Sequence, residues 1–276
     1  MKNLIIRALT GIIFVVVLIS AIYIHPIFFL ILFCIITGLT LWEFGGLVKH
    51  YENANLQRTV NVLGGVYLFI ATFVYANGLT DGKIFLPYLL FIMLTMIAEL
   101  YKAPNPINNW AFTLFAQVYC AGSFSILNFI GAEPGTPGVM SYTPLFIMAI
   151  FIFVWLDDTG AYLVGSLIGK HKLFERISPK KSWERFFGGL ILSLASSQAF
   201  AWFAPEINRM NWLGLAATVV LFGTWGDLIE SLLKRTLGVK DSGNVLPGHG
   251  GMLDRFDSVM LAVPASYIYI ELFIRN

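Results

Sequence analysis

Charge is scarce in this chain: Asp, Glu, Lys and Arg together make up 12% of 276 residues, against 57% apolar types. A water-soluble domain needs a larger charged surface than that, so the composition excludes one. Cysteine is scarcer still. Cys34 and Cys120 are the only two, both within apolar runs. They exclude a disulfide framework, and also a cysteine-based zinc site, which needs more ligands at tighter spacing. Heptad arrays, low-complexity tracts and repeats of 20–50 residues are missing, which removes coiled coils and solenoids. The net charge of +2 is uninformative by its size, and nothing in it calls for a nucleic-acid partner.

What is there is a succession of apolar runs, with a mean hydropathy of +0.75. Nine candidate spans can be drawn, at 4–24, 26–42, 60–78, 84–100, 110–130, 140–169, 186–204, 211–232 and 257–274. Each is near the ~20 residues that a helix needs to cross the hydrocarbon. The expected fold is therefore all-α, a polytopic integral membrane protein of about nine helices. The first run has no small-residue cleavage site before a soluble domain and reads as a retained helix. The second is short and follows Pro26 directly, so the first two spans should form a tight hairpin. Residues 1–139 would carry spans one to five, and 140–276 spans six to nine with two charged loops.

The few charges are concentrated. From Gly226 to Ser258 the chain places Asp227, Glu230, Lys234, Arg235, Lys240, Asp241, His249, Asp254, Arg255 and Asp257. Ionisable groups within a membrane are costly and by default mark function. On the eighth span Asp227, Glu230 or Ser231, and Lys234 fall on one helical face; the structural alternative is an Asp–Lys pair between helices. The following loop ends in Pro247-Gly248-His249-Gly250-Gly251. Glycines there let backbone approach a ligand and form an anion-binding nest, although a plain turn with a surface histidine has the same composition. Asp254 and Asp257 open the ninth span. Asp227 and Asp254, at opposite ends of one loop, suit Mg²⁺, which rarely takes an all-protein cage.

Span six ends in Asp157-Asp158-Thr159-Gly160-Ala161-Tyr162, two adjacent acids in an apolar run. They either cap and pair structurally or bind substrate. Ala161, Gly165 and Gly169, four apart, read as a packing stripe. Gly165 to Lys170 resembles a P-loop by eye, but it is one residue short and lacks a preceding strand. The loop that follows carries Ser178-Pro179-Lys180-Lys181-Ser182-Trp183-Glu184. This is either an ordinary positive loop or a phosphate clamp near anionic headgroups. Asn105, Pro106, Asn108 and Asn109 read as turn residues, Glu43 and Glu99 as solvated helix ends, and His25-Pro26 as a loop.

Ser231-x-x-Lys234-Arg235, then Lys240-Asp241-x-Gly243, then Pro247-x-His249-Gly250-Gly251-x-x-Asp254-Arg255-x-Asp257 resembles the signature of the phosphatidate cytidylyltransferase (CDP-diacylglycerol synthase) family, with all its fixed positions present. The resemblance extends over Asp158-Thr-x-Ala161-Tyr162 and the Ser178–Glu184 loop, covering roughly 155–260. Arg185 departs from it, standing where that family has Gly. The resemblance implies transfer of CMP from CTP to phosphatidic acid, with release of pyrophosphate. It implies Mg²⁺ on Asp227 and Asp254 with Asp257 near, room for a second, monovalent cation such as K⁺, and a homodimer in the cytoplasmic (inner) membrane with its site facing the cytoplasm. Lys234, Arg235, Lys240 and Arg255 would neutralise phosphates, with Asp241 and His249 beside them. Asp157, Asp158, Tyr162, Lys180, Lys181, Ser182, Glu184, Ser231, Gly250 and Gly251 would line the substrate cavity. A secondary transporter of an anionic substrate should show paired broken helices in two related halves, and these are not seen. A CDP-alcohol phosphotransferase should show a DGxxAR run, which is missing. A non-catalytic scaffold would not need its cations arrayed with acids.

Lys and Arg fall unevenly on the two sides of the nine spans. Lys2, Arg7, Lys49, Arg58, Lys102, Lys170, Lys172, Arg176, Lys180, Lys181, Arg185, Lys234, Arg235, Lys240 and Arg255 share one side, and Lys83, Arg209 and Arg275 the other. The positive-inside rule places the fifteen in the cytoplasm, with the N-terminus inside and the C-terminus outside. A reporter fused after Asn276 is expected to read as external. A cytoplasmic reading there would mean that a span is miscounted.

Overall fold

The computed structural model describes residues 2–51, 54–102, 106–133, 140–243, 245 and 250–275, with side chains of the first helix described from Leu9 onward. It is helical almost throughout. The helices are α1 (Lys2–Ile24), α2 (Pro26–Val48), α3 (Arg58–Ala76), α4 (Leu86–Ala98), α5 (Pro106–Ala116), α6 (Ser123–Gly131), α7 (Leu145–Ile168), α8 (Trp183–Phe203), α9 (Arg209–Thr236), α10 (Leu253–Phe256) and α11 (Val259–Phe273). Short 3₁₀ turns flank α4, and a π-helical stretch, Gln117–Gly122, joins α5 to α6. A two-stranded antiparallel hairpin, β1 (Lys172–Phe174) and β2 (Ser178–Ser182), separates α7 from α8. Among the described residues eight helical stretches are long and apolar enough to cross a membrane, and Leu9–Ile24 adds a shorter apolar helix. The span Gly82–Tyr101 has only 6% of its apolar window buried. A helix that is apolar all round and yet unpacked is stable in lipid, not in water.

The chain divides into two compact units: Met1–Pro144 with Thr236–Phe256, and Leu145–Arg235 with Asp257–Asn276. Residues 236–256, which the sequence reading grouped with spans six to nine, fall here with the N-terminal helices.

In the first unit α1 and α2 form the expected hairpin, joined by His25 alone. His25 is extended, and its Nδ1 accepts from the Ile27 amide at 3.2 Å while Pro26 opens α2. An N-cap acceptor followed by proline is a strong helix start. Helix α2 runs to Val48, six residues past the expected end at 42, so this span is not short. Arg58 packs against Gly45 and Gly46 and lays its guanidinium over Trp42, 5.6 Å from the ring centroid. Phe256 of α10 makes edge contacts with Phe14, Phe33 and Phe124, which ties the end of the signature loop to this core. Two readings are corrected here. Pro106 and Asn109 belong to α5 rather than to a turn, with Asn109 buried; Asn105 lies outside the described residues. Glu99 is buried rather than solvated, because Asn109 Nδ2 donates to it at 2.7 Å and Lys102 lies 3.3 Å away.

In the second unit α7 and α8 pack through glycine. A Cβ on Gly160 would lie 2.5 Å from the Gly188 carbonyl oxygen, and one on Gly188 would lie 2.8 Å from the Gly160 carbonyl oxygen. The expected stripe of Ala161, Gly165 and Gly169 is thus displaced by one residue at its first position. Gly160 makes the backbone-to-backbone contact, while Ala161 faces a cavity. Helices that meet backbone to backbone gain dispersion energy over a long contact, which lipid cannot replace. Replacing Gly160 with Val is expected to part the two helices and to cost about 1–3 kcal/mol. The measurement is a thermal midpoint in detergent. Gly82→Ala, where an added Cβ meets nothing within 4 Å, is the control and should leave the midpoint unchanged.

Candidate functional site

The second unit holds a cavity of about 280 Å³, lined by the end of α7, the hairpin, the start of α8, the middle of α9 and Ser258. Asp157, Asp158 and Ala161 reach it from α7, Lys180 and Lys181 from β2, Arg185 from α8, and Thr224 and Asp227 from α9. At its centre Lys181 Nζ lies 2.6 Å from Asp227 Oδ2 and 3.4 Å from the Thr224 carbonyl oxygen. Ser231, one turn along α9, donates to Asp227 Oδ1 at 3.2 Å. One Asp227 oxygen therefore takes the ammonium and the other a hydroxyl. A carboxylate at this depth needs such partners.

Close helix packing sets the acids in place. The room that a side chain at Gly189 would need is filled by the Asp157 carboxylate. Asp157 is within electrostatic reach of Asp158, Lys181 and Asp227, and Asp257 within reach of Asp227, Glu230 and Asp158. Gly226 lets α9 approach the Asp257 and Ser258 carbonyls, which brings the last acid near the group. Asp257 Oδ1 also accepts from the Ser258 amide at 2.6 Å. The site is thus a set of clustered carboxylates met by the cations of one short hairpin.

Arg185 was the odd residue in the sequence, and its place explains how it is accommodated. Its aliphatic stem lies where a side chain on Gly165 would go, and its Nη1 donates to the Lys180 carbonyl at 3.1 Å. It thereby props the β2 backbone and adds a third cation to the cavity lining. Ser182 caps α8, accepting from the Arg185 amide at 3.3 Å.

Other expected site residues fall elsewhere. The single face expected on α9 separates into two pairs. Asp227 goes with Ser231, whereas Lys234 lies 2.5 Å from the fully buried Glu230. Glu184 accepts from the Lys170 and His171 amides and pairs with His171 Nδ1 at 2.6 Å, closing the base of the hairpin rather than lining the cavity. Tyr162 is exposed and outside the lining. Arg235 is exposed in the last turn of α9, and Lys240, Asp241 and Arg255 are exposed in and after the loop. His249 lies outside the described residues.

The signature loop makes a second cluster, in the first unit. Asp254 accepts from the Ser242 amide at 3.2 Å (Oδ1) and 3.0 Å (Oδ2), and from the Gly251 amide at 2.9 Å. Gly250 adopts φ +84°, a conformation that glycine allows. The carboxylate thus draws the two ends of the loop together. Beside it sits Glu43, which the sequence placed at a solvated helix end. It is only 5% exposed, and its Oε2 accepts from the Ser242 hydroxyl at 3.2 Å and the Leu253 amide at 2.9 Å.

Among the described residues no three His, Cys, Asp or Glu side chains form a metal cage. Mg²⁺ does not ask for one, since it keeps waters and binds through one or two carboxylates plus phosphate oxygens. The donor set at the cavity, oxygen-only and clustered, is of the kind that this ion takes.

The model of the cytidylyltransferase family matches residues 5–273. Phosphatidate cytidylyltransferases from Staphylococcus aureus strain COL, Staphylococcus haemolyticus and Staphylococcus epidermidis strain ATCC 12228 are 53%, 54% and 52% identical to the chain over 121 residues. That stretch is 43% of this chain and 46% of each relative, so the alignment spans about half the length of the curated relatives it matches. A family match that runs nearly end to end over a polytopic helical fold means that this chain belongs to the cytidylyltransferase family.

Proposed function

We propose that the chain transfers CMP from CTP to phosphatidic acid, giving CDP-diacylglycerol and pyrophosphate. The observation that carries this is the cavity of the second unit, where Lys180, Lys181 and Arg185 face Asp157, Asp158 and Asp227 within a unit of membrane-spanning helices. In the reaction a phosphate oxygen of the lipid attacks the α-phosphorus of CTP. A new P–O–P link forms as the bond to the β-phosphate breaks, and the bonding electrons leave with pyrophosphate. The lipid phosphate is already anionic near neutral pH, so no strong general base is required. The barrier lies in pressing one polyanion against another, and fixed positive charge is what lowers it.

Lys181 is placed for that task, and Asp227 holds its ammonium at the cavity. Lys180 and Arg185 add charge, and the carbonyl link between them fixes the strand that carries both lysines. We assign Mg²⁺ binding to the carboxylates of Asp227 and Asp254, with Asp257 in support; bound, it would neutralise phosphate oxygens. A second, monovalent cation, a homodimer, and a cytoplasmic-membrane location with the site facing the cytoplasm belong to the same proposal.

Asp227→Asn and Asp254→Asn are each expected to lower kcat by about 10²–10³ in a folded protein, the size of one lost charge-stabilising contact. The assay is pyrophosphate release in detergent with CTP, phosphatidic acid and Mg²⁺. Near-normal rates in both variants would remove the metal assignment. Release of no pyrophosphate by the unaltered protein would remove the reaction itself.

Joint replacement of Lys180 and Lys181 by Gln should raise KM for CTP or lipid by more than it lowers kcat, because flexible ammonium groups bind phosphate alike in ground and transition states. Steady-state kinetics on both substrates checks this. Unchanged constants would leave the two lysines as ordinary members of a positive-inside loop.

A further inference from the structure

Glu43 is a buried acid for which neither the signature nor the cavity accounts. It lies on α2, some two hundred positions away in sequence from the loop that it touches. Two glycines of that loop close around it. A Cβ on Gly243 would lie 2.6 Å from Glu43 Oε1, and a side chain on Gly251 would collide with Oε2. The loop backbone therefore lies directly on the carboxylate, in space that any larger residue would fill. Oε2 takes both hydrogen bonds, from the Ser242 hydroxyl and the Leu253 amide, while Oε1 has no hydrogen-bond partner among the described residues.

Ser242 links this acid to Asp254. Its hydroxyl donates to Glu43 and accepts from the Asp254 amide at 3.3 Å, and its own amide donates to the Asp254 carboxylate. Glu43, Ser242 and Asp254 thus form one chain of hydrogen bonds, braced by the Leu253 and Gly251 amides. A group held through two successive layers of hydrogen bonds keeps its orientation, and one left to a free loop does not.

We infer that Glu43 is a positioning residue for the reaction: it anchors the signature loop to α2 and, through Ser242, fixes the direction of the Asp254 carboxylate. The inference rests on the role given to Asp254 under the proposed function. Glu43 touches no substrate in this scheme. Its effect should fall on turnover and not on ground-state binding. Because a single oxygen does the accepting, glutamine can replace glutamate with that oxygen in place.

Glu43→Ala and Glu43→Gln are compared with the unaltered protein by two measurements. The first is amide hydrogen exchange of peptides covering 242–256, made without substrate, with peptides from 145–235 as reference. The second is pyrophosphate release. For Glu43→Ala, exchange in 242–256 is expected to rise at least about tenfold with the reference peptides unchanged; kcat should fall about tenfold or more while both KM values stay within about threefold. Glu43→Gln should restore most of both. The inference is overturned if exchange in Glu43→Ala matches the unaltered protein, if Glu43→Gln is as impaired as Glu43→Ala, or if kcat is retained while the loop is freed. Should Glu43→Ala fail to fold, Ser242→Ala breaks the same chain at its middle link. It must then show faster exchange and lower kcat, and normal values in it overturn the inference as well. The exchange readout needs no turnover, so failure of the assigned reaction is told apart from failure of the anchor.

Discussion

Every charge in this protein that lies among apolar helices must have a partner, and that requirement decides where the chain can bend, pack and bind. Water would accept Glu43, Asp227 or Glu230 anywhere, whereas hydrocarbon accepts them only when neutralised or hydrogen-bonded. The arrangement follows from this. Glu230 is paired within its own helix by Lys234, Asp227 is held by Lys181 of the hairpin, and Glu43 accepts from the Ser242 hydroxyl and the Leu253 amide of the loop. Each solution fixes a different piece of structure. The first stiffens the end of α9, the second attaches the hairpin to α9, and the third attaches the signature loop to α2.

These attachments separate two kinds of acid. Those whose partners lie outside the cavity lining are committed to structure, as with Glu230 and Glu43. Asp157, Asp158 and Asp227 instead share a cavity with Lys180 and Lys181 of a short hairpin and Arg185 of α8. A side chain on a two-stranded hairpin can yield more easily than one within a packed helix, because such a hairpin has little stability of its own. The two lysines that must meet an incoming polyanion therefore sit on the pliant element, and the acids on rigid helices. That division suits a site whose ligands bring several negative charges and then leave with some of them.

The sequence made much of this legible. Apolar runs of helical length gave the all-α membrane fold, and the tight hairpin between the first two spans was visible at Pro26, although Pro26 opens α2 and does not belong to a loop. The acids of α7 and the lysines of β2 were legible because charge inside an apolar chain stands out. Glu43 was not. It follows Trp42, where the apolar run seemed to end, and a carboxylate at a helix end ordinarily meets water. What keeps it dry is a loop two hundred residues away, and pairing at that separation leaves no local pattern. The helix continues past it because Gly45 and Gly46 make room for Arg58, another long-range contact. The face shared by Asp227 and Lys234 failed for a different reason. Spacing of i, i+3 and i+4 allows both groupings, and only the tertiary surroundings choose between them. Glu184 misled because the loop's composition could not show its hairpin base, where it accepts amides next to His171.

The signature itself acquires a physical reading from the loop geometry. Its fixed glycines 243 and 251 stand where the chain lies against a buried carboxylate, so their constraint is steric and belongs to Glu43 as much as to any ligand. The unspecified position between Asp241 and Gly243 is Ser242, which bonds Asp254 through both its amide and its hydroxyl. Its backbone amide does part of that work, and any residue except proline supplies an amide. A motif records those positions where a particular side chain, or the lack of one, is required. The remaining contacts are carried by backbone, and these become apparent only when the fold brings α2 and the loop together.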